Sequence, residues 1–420
     1  MVSKKLVFVV GVNPLSDKRS ARIRRDSKMN DVGECRLESR AKTRGRVLNV
    51  HKGQEKEKMR LYKMEVYKRC HKKVFLMGIL AAIGLMLLYF WFAEVGGEIA
   101  VVGDKSYVGY EAVQINKEIT SEFEGIITNE KISEIVDKYG IPTKLTENMP
   151  GWRDGNYLND FVVRYFTNGC WETGTIPTQT YTLEKSEMYQ VCQSEGIIPV
   201  LAYTKGWQVF VEMLQFGLIL GSVLIIFSIS TVFAEEEQIK MLPIIFTTEE
   251  GKRKDITAKI FAAFSLTVFV FLGIVLFDFI LCGIVYGLNG YENLAGVVLG
   301  DKMLRVVYQQ EFLEYLLKLL LLNLQGLLLL CAVTLCVSAG CSSSFIAVII
   351  SAVCWGIPIL LRMFLTGIIS IIIYATPLFL VMRETVNDMV AFWQLVLFIS
   401  VFAGVVCTIM GYRKYKIKEA

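Results

Sequence analysis

Six stretches of this chain, each roughly 17 to 29 residues long, carry almost no charge, and that length is about what a helix needs to cross a hydrocarbon layer of about 30 Å. They fall at 74–93, 209–233, 260–288, 312–337, 345–361 and 390–410. The 420-residue chain is 53% hydrophobic and only 20% charged, against about 25% charge in a soluble domain. A single soluble core and a disordered chain are both excluded. The fold class expected is an all-α membrane protein of six transmembrane helices with one re-entrant or broken segment. A small α+β extracytoplasmic insert is expected between spans one and two.

The inventory narrows the chemistry. The two histidines, His51 and His71, lie near the N-terminus, so a histidine zinc site or a Ser-His-Asp triad beyond residue 71 has no histidine to use. The single Gly-Lys pair, Gly251-Lys252, is followed by Arg253, and Phe246 stands where the first glycine of a phosphate-binding loop belongs. The chain therefore has no Walker A loop of its own. Acids such as Glu172, Glu184 and Glu187 have no catalytic spacing, and no metal-binding cluster is visible, so a non-enzyme is expected.

Charge sets the expected topology. Residues 1–73 carry a net charge of +14, residues 94–208 a net −8 and residues 209–420 a net −1. Positive residues stay in the cytoplasm, so the N-terminus is expected inside and 94–208 outside a plasma membrane. A basic arm can also bind nucleic acid, but this one has neither interleaved aromatics nor a recognition helix. Residues 1–58 read as a disordered basic arm or as a translated stretch ahead of the natural start at Met59. Residues 59–73 read as a basic amphipathic helix at the interface, or as a charged flank that only fixes orientation.

In the insert, Ile132, Ile135, Val136 and Tyr139 repeat at helical spacing and Gly140 closes the run. Phe161–Phe166 and Thr178–Leu183 read as β-like. Cys170 and Cys192 suit either a disulfide or two thiols. In span two, Gly217 and Gly221 form a G-x-x-x-G that lets helices approach closely, or arises by chance. Asp278 is the one acid well inside a span, and is either a pathway residue or a carboxyl buried against a neighbouring helix. Residues 289–311 form an external loop. The stretch 363–382 is apolar but interrupted by Gly367 and Pro377. Four basic residues in 411–420 favour a cytoplasmic tail, which makes 363–382 a re-entrant segment. Both termini are then cytoplasmic.

Residues 234–259 form the internal cytoplasmic loop, with five basic and six acidic residues around the apolar run Met241-Leu242-Pro243-Ile244-Ile245-Phe246. Span two ends in Ala234-Glu235-Glu236-Glu237-Gln238-Ile239-Lys240, and the apolar run leads through Gly251-Lys252 to Lys259 at the entry to span three. This arrangement resembles the signature loop of exporter-type ABC-transporter permease subunits, and the large insert resembles one branch common in bacteria of the Firmicutes kind. Over residues 59–420 the likeness is one of order and topology, and its sharp part is the loop alone. Pro243 departs from the pattern and is expected to split the coupling helix.

The resemblance implies a permease subunit driven by a separate ATP-binding subunit, with ATP-Mg held there and no cofactor in this chain. It implies a second permease subunit, identical or sibling, since six spans make half a pore. Glu235, Glu236 and Glu237 would pair with charges on the ATPase, with Lys240, Gly251 and Lys252 beside them. Met241, Leu242, Ile244, Ile245 and Phe246 would fill its groove. The plainer reading is a solvated charge run before an interfacial helix. Two other classes remain. A secondary transporter or channel needs several midplane ionisable sites. A membrane sensor needs a sizeable cytoplasmic output domain.

Overall fold

A computed structural model describes residues 59–141, 155–169, 175–247, 251–302, 304–365 and 367–417. The arm 1–58 and Cys170 lie outside the described residues. The helix α1 covers 59–70. Among the described residues, six helices are long and apolar enough to cross a membrane, which fits a multi-pass membrane protein: α2 (Lys73–Tyr89, continued as a π-helix to Val95), α7 (Lys205–Ile229) with α8 (Thr231–Gln238), α10 (Ile256–Val285), α12 (Phe312–Gly340), α13 (Ser344–Phe364) and α17 (Trp393–Ile417). α7 and α12 are the most enclosed, while α2, α10, α13 and α17 leave most of their apolar surface open.

Close approach along α7 follows from its small residues. A Cβ on Gly217 would stand 2.7 Å from the side chains of Ile274 and Met86, and one on Gly221 2.7 Å from Ile274, so α10 and α2 lie directly on this face. At the start of α7 the contact is with backbone: a Cβ on Gly206 would stand 1.9 Å from the Gly287 carbonyl oxygen. A carbonyl cannot rotate away as a side chain can. Gly206→Ala is therefore expected to cost about 1–3 kcal/mol, the range for overpacking, read as a lower midpoint of thermal unfolding in detergent.

The described residues of the insert form two small antiparallel sheets and four helices. β1 (Ile99–Val102) pairs with β2 (Lys105–Val108), and β3 (Gly125–Ile126) with β4 (Val200–Leu201). The helices are α3 (Tyr110–Glu122), α4 (Asn129–Tyr139), α5 (Tyr157–Phe166) and α6 (Glu187–Glu195). Two expected strands are absent. Phe161–Phe166 lies in α5, because the Asn156 side chain accepts from the Leu158 and Asn159 amides while Asn159 caps Asn156 in return. That reciprocal capping outweighs the β preference of Val162 and Val163. Thr178–Leu183 is an irregular segment with one bridge, Thr167 to Thr180, before a single 3-10 turn at Leu183–Lys185. Cys192 is a buried free thiol 3.8 Å from the Met188 sulphur, and burial pushes it up to about 12. It is a packing residue rather than a reactive one.

The connection after α10 is part of this same core. Short helix α11 (Ala295–Leu299) leads from Leu294, which with Val297 and Leu304 packs among Leu158, Phe161 and Phe166. The Asn293 amide accepts from the Val200 N–H and donates to the Val200 carbonyl, both at 2.9 Å. Tyr165 donates its hydroxyl to the Gly296 carbonyl at 3.0 Å. The loop expected at 289–311 thus completes the insert.

Between α13 and α17 the chain breaks into a 3-10 turn (Gly367–Ile369) and three short helices, α14 (Ser370–Tyr374), α15 (Pro377–Val381) and α16 (Arg383–Asp388). α15 is buried against α12 at Gly326, where a Cβ would come within 2.8 Å of Leu380. With its amide turned so that the nitrogen faces them, Asn323 of α12 donates to the Leu380 and Val381 carbonyls at 2.9 and 3.1 Å, and Thr385 donates to Phe379. Broken backbone inside an apolar bundle needs such partners.

Candidate functional site

Consecutive residues in a helix are about 100° apart, so three successive carboxylates cannot share one face. At the end of α8 this separates Glu235, Glu236 and Glu237. Glu235 is half-buried and pairs with Lys72, whose ammonium also reaches the Thr231 hydroxyl at 3.2 Å. Glu237 is half-buried. Glu236 is not at the surface: it points into the bundle and is 4% exposed.

Glu236 meets Lys259 at 3.1 Å and accepts a hydrogen bond from the Tyr415 hydroxyl at 2.6 Å. Lys68 approaches the same oxygen as Lys259, Oε1, at 3.8 Å. Lys259, 1% exposed near the start of α10, also pairs with Asp255 four residues earlier and lies 3.8 Å from Glu65. Arg69 donates to Glu65 at 2.8 Å within α1. Three carboxylates, Glu65, Glu236 and Asp255, thus meet three cations, Lys68, Arg69 and Lys259. A buried charge is tolerated when it is paired and hydrogen-bonded, and this group balances. It ties α1, α8, α10 and the end of α17 together at one end of the bundle. α1 accordingly turns Glu65 and Arg69 inward and leaves Met64 and Tyr67 exposed.

Burial raises the Glu65 carboxyl, but Lys259, Arg69 and Lys68 together outweigh it and hold the group below its ordinary value of 4.5. A folded value below the unfolded one contributes stability above the unfolded value and loses it as pH falls through the folded one. Thermal melts from pH 7 downward are expected to show an acid-side loss beginning near pH 4.5. In Glu65→Gln that component is absent from the melt series.

Beyond α8 the chain turns outward. Lys240 sits at φ 55°, and the Met241 N–H reaches back to the Glu236 carbonyl at 2.9 Å, a left-handed helix stop. The short helix α9 (Leu242–Thr247) follows. Pro243 lies in its first turn, where a missing N–H costs nothing, so the expected split of this helix does not occur. Ile239, Met241 and Ile244 are exposed, Ile244 at 64%. Gly251 and Lys252 open a π-turn (Gly251–Asp255) into α10. Leu242, Ile245 and Phe246 lie within α9.

Asp278 stands apart from this end. It is fully buried on α10, and neither carboxylate oxygen has a hydrogen-bond partner among the described residues. It shares its helix face with Phe271, Cys282 and Val285.

No family model, curated protein or solved structure matches the chain. The site is therefore read from its own geometry. Glu65, Arg69, Asp255 and Tyr415 were not singled out in the sequence. Two of their contacts carry a sequence signal, because Glu65/Arg69 and Asp255/Lys259 are spaced i, i+4 with opposite charges. Tyr415 carries none, since its partner is 179 positions away.

Proposed function

We propose that this chain is the membrane-spanning subunit of an ABC transporter of the exporter type, driven by a separate ATPase subunit that docks on residues 234–259. The observation that carries the reading is the pairing of a rigid anchor with an exposed handle. The buried ion cluster around Lys259 joins four helices, and directly beyond it α9 and its flanks present Ile239, Met241 and Ile244 uncovered. Work delivered to a short helix moves spans only if the helix is coupled stiffly to them, and buried charge pairs give directional links of that kind. The apolar handle suits a groove on a partner. Glu236 and Lys259 then act as the internal link, and the partner meets Glu237, Lys240, Met241 and Ile244. In this arrangement the handle and both termini are cytoplasmic, and the insert is extracytoplasmic.

The same reading makes the broken segment 367–388 a re-entrant element beside the pathway, and it needs a second permease subunit to complete that pathway. A secondary transporter is the second reading, and Asp278 is the observation that favours it, as a buried carboxylate without a hydrogen-bond partner among the described residues. Reconstitution separates the two. Purified from its host membrane, the chain is expected to bring a nucleotide-hydrolysing subunit with it, and chain stripped of that subunit is expected to hydrolyse no ATP. Stripped chain that drives cargo flux on a proton gradient alone would favour the second reading.

A further inference from the structure

α2 and α13 flank α7 and α8 without closing over them, and at the end carrying the ion cluster they leave a cavity of about 600 Å³. Its lining changes character along its length. Lys72, Lys73, Glu235, Gln238 and Ser344 line the end where α2 and α13 begin, while Leu224, Phe227 and Val348 lie further along α7 and α13. From Leu224 to Glu235 the floor is 11 residues of helix, about 16 Å at 1.5 Å per residue. A polar end at the level where the spans begin, continued by a hydrocarbon-lined trough, matches a lipid lying along the protein.

Among the described residues, two groups at this end lack partners. Lys72 is occupied by Glu235 and Thr231, but Lys73 is exposed and makes no ion pair among the described residues. The Ser344 hydroxyl is buried with no hydrogen-bond partner among the described residues, although its backbone N–H donates to Gln238 at 3.2 Å. Both are donors in search of an acceptor.

We propose that this groove binds one anionic phospholipid, with its phosphate at Lys73 and Ser344 and an acyl chain along Leu224, Phe227 and Val348. The inference rests on membrane insertion and is independent of the ATPase reading. Native mass spectrometry of the full chain, released from detergent with phosphatidylglycerol or phosphatidylcholine, tests it. The expected result is about fivefold greater retention of phosphatidylglycerol, the share of one basic residue at an anionic surface. Lys73→Glu, at an exposed position, is expected to lower that retention to the phosphatidylcholine level. Val348→Trp is expected to remove both lipids while the melting curve stays in place. Equal retention of the two lipids by the wild type would overturn the proposal, as would wild-type retention in Lys73→Glu. A lipid-free dimer that Val348→Trp dissociates would place a second copy in the groove and overturn it equally.

Discussion

Lys259→Ala is expected to lower stability by about 3–5 kcal/mol, the cost of removing one partner from a buried ion group. Lys259 is 1% exposed and faces Glu236, Glu65 and Asp255, so its loss leaves three carboxylates around an empty volume. Lys259→Met keeps most of the volume and tests the charge alone, and a loss of similar size is expected. Adding Glu236→Gln to Lys259→Met is expected to recover part of the stability, because Glu65 keeps Arg69 and the charges that remain in the cluster balance. Thermal unfolding of the four proteins in one detergent reads the series. A Lys259→Met protein as stable as wild type would mean that the cluster ties nothing together.

Ile244→Asp is expected to leave folding unchanged and to weaken capture of the proposed ATPase subunit by about 30-fold, the equivalent of roughly 2 kcal/mol at an interface hot spot. The two effects separate because Ile244 is 64% exposed in the isolated chain. Charge reversal at Glu236 cannot make the same separation: its carboxylate is bound by Lys259 and Tyr415, so the variant would fail through folding. Subunit capture at wild-type strength by folded Ile244→Asp would remove α9 from the interface.

The bundle was legible in the sequence because a run of about 20 residues without charge has few alternatives to a spanning helix. Mostly helical structure and six such helices follow from that alone. Features that depend on competition between local preferences were harder to read. Val162 and Val163 favour a strand, but the Asn156–Asn159 capping exchange commits the segment to α5. The connection after α10 is polar in composition, yet Leu294, Val297 and Leu304 complete the core of the insert, a contact between segments about 130 positions apart. At the candidate site the residue types were visible but their directions were not. Glu235, Glu236 and Glu237 look equivalent in sequence, and only the phase of α8 turns Glu236 inward. Pro243 looked like a break and instead sits where a helix tolerates it.

We propose that this chain takes its work from another subunit's ATPase through α9. Photolabelling of the complex purified from its host membrane, using an azido-ATP analogue, tests it most directly. The account expects the label on a separate polypeptide, none on the 47.5 kDa chain, and loss of the labelled partner in Ile244→Asp. Label on the chain itself, or cargo flux through the chain with no labelled companion present, would contradict it.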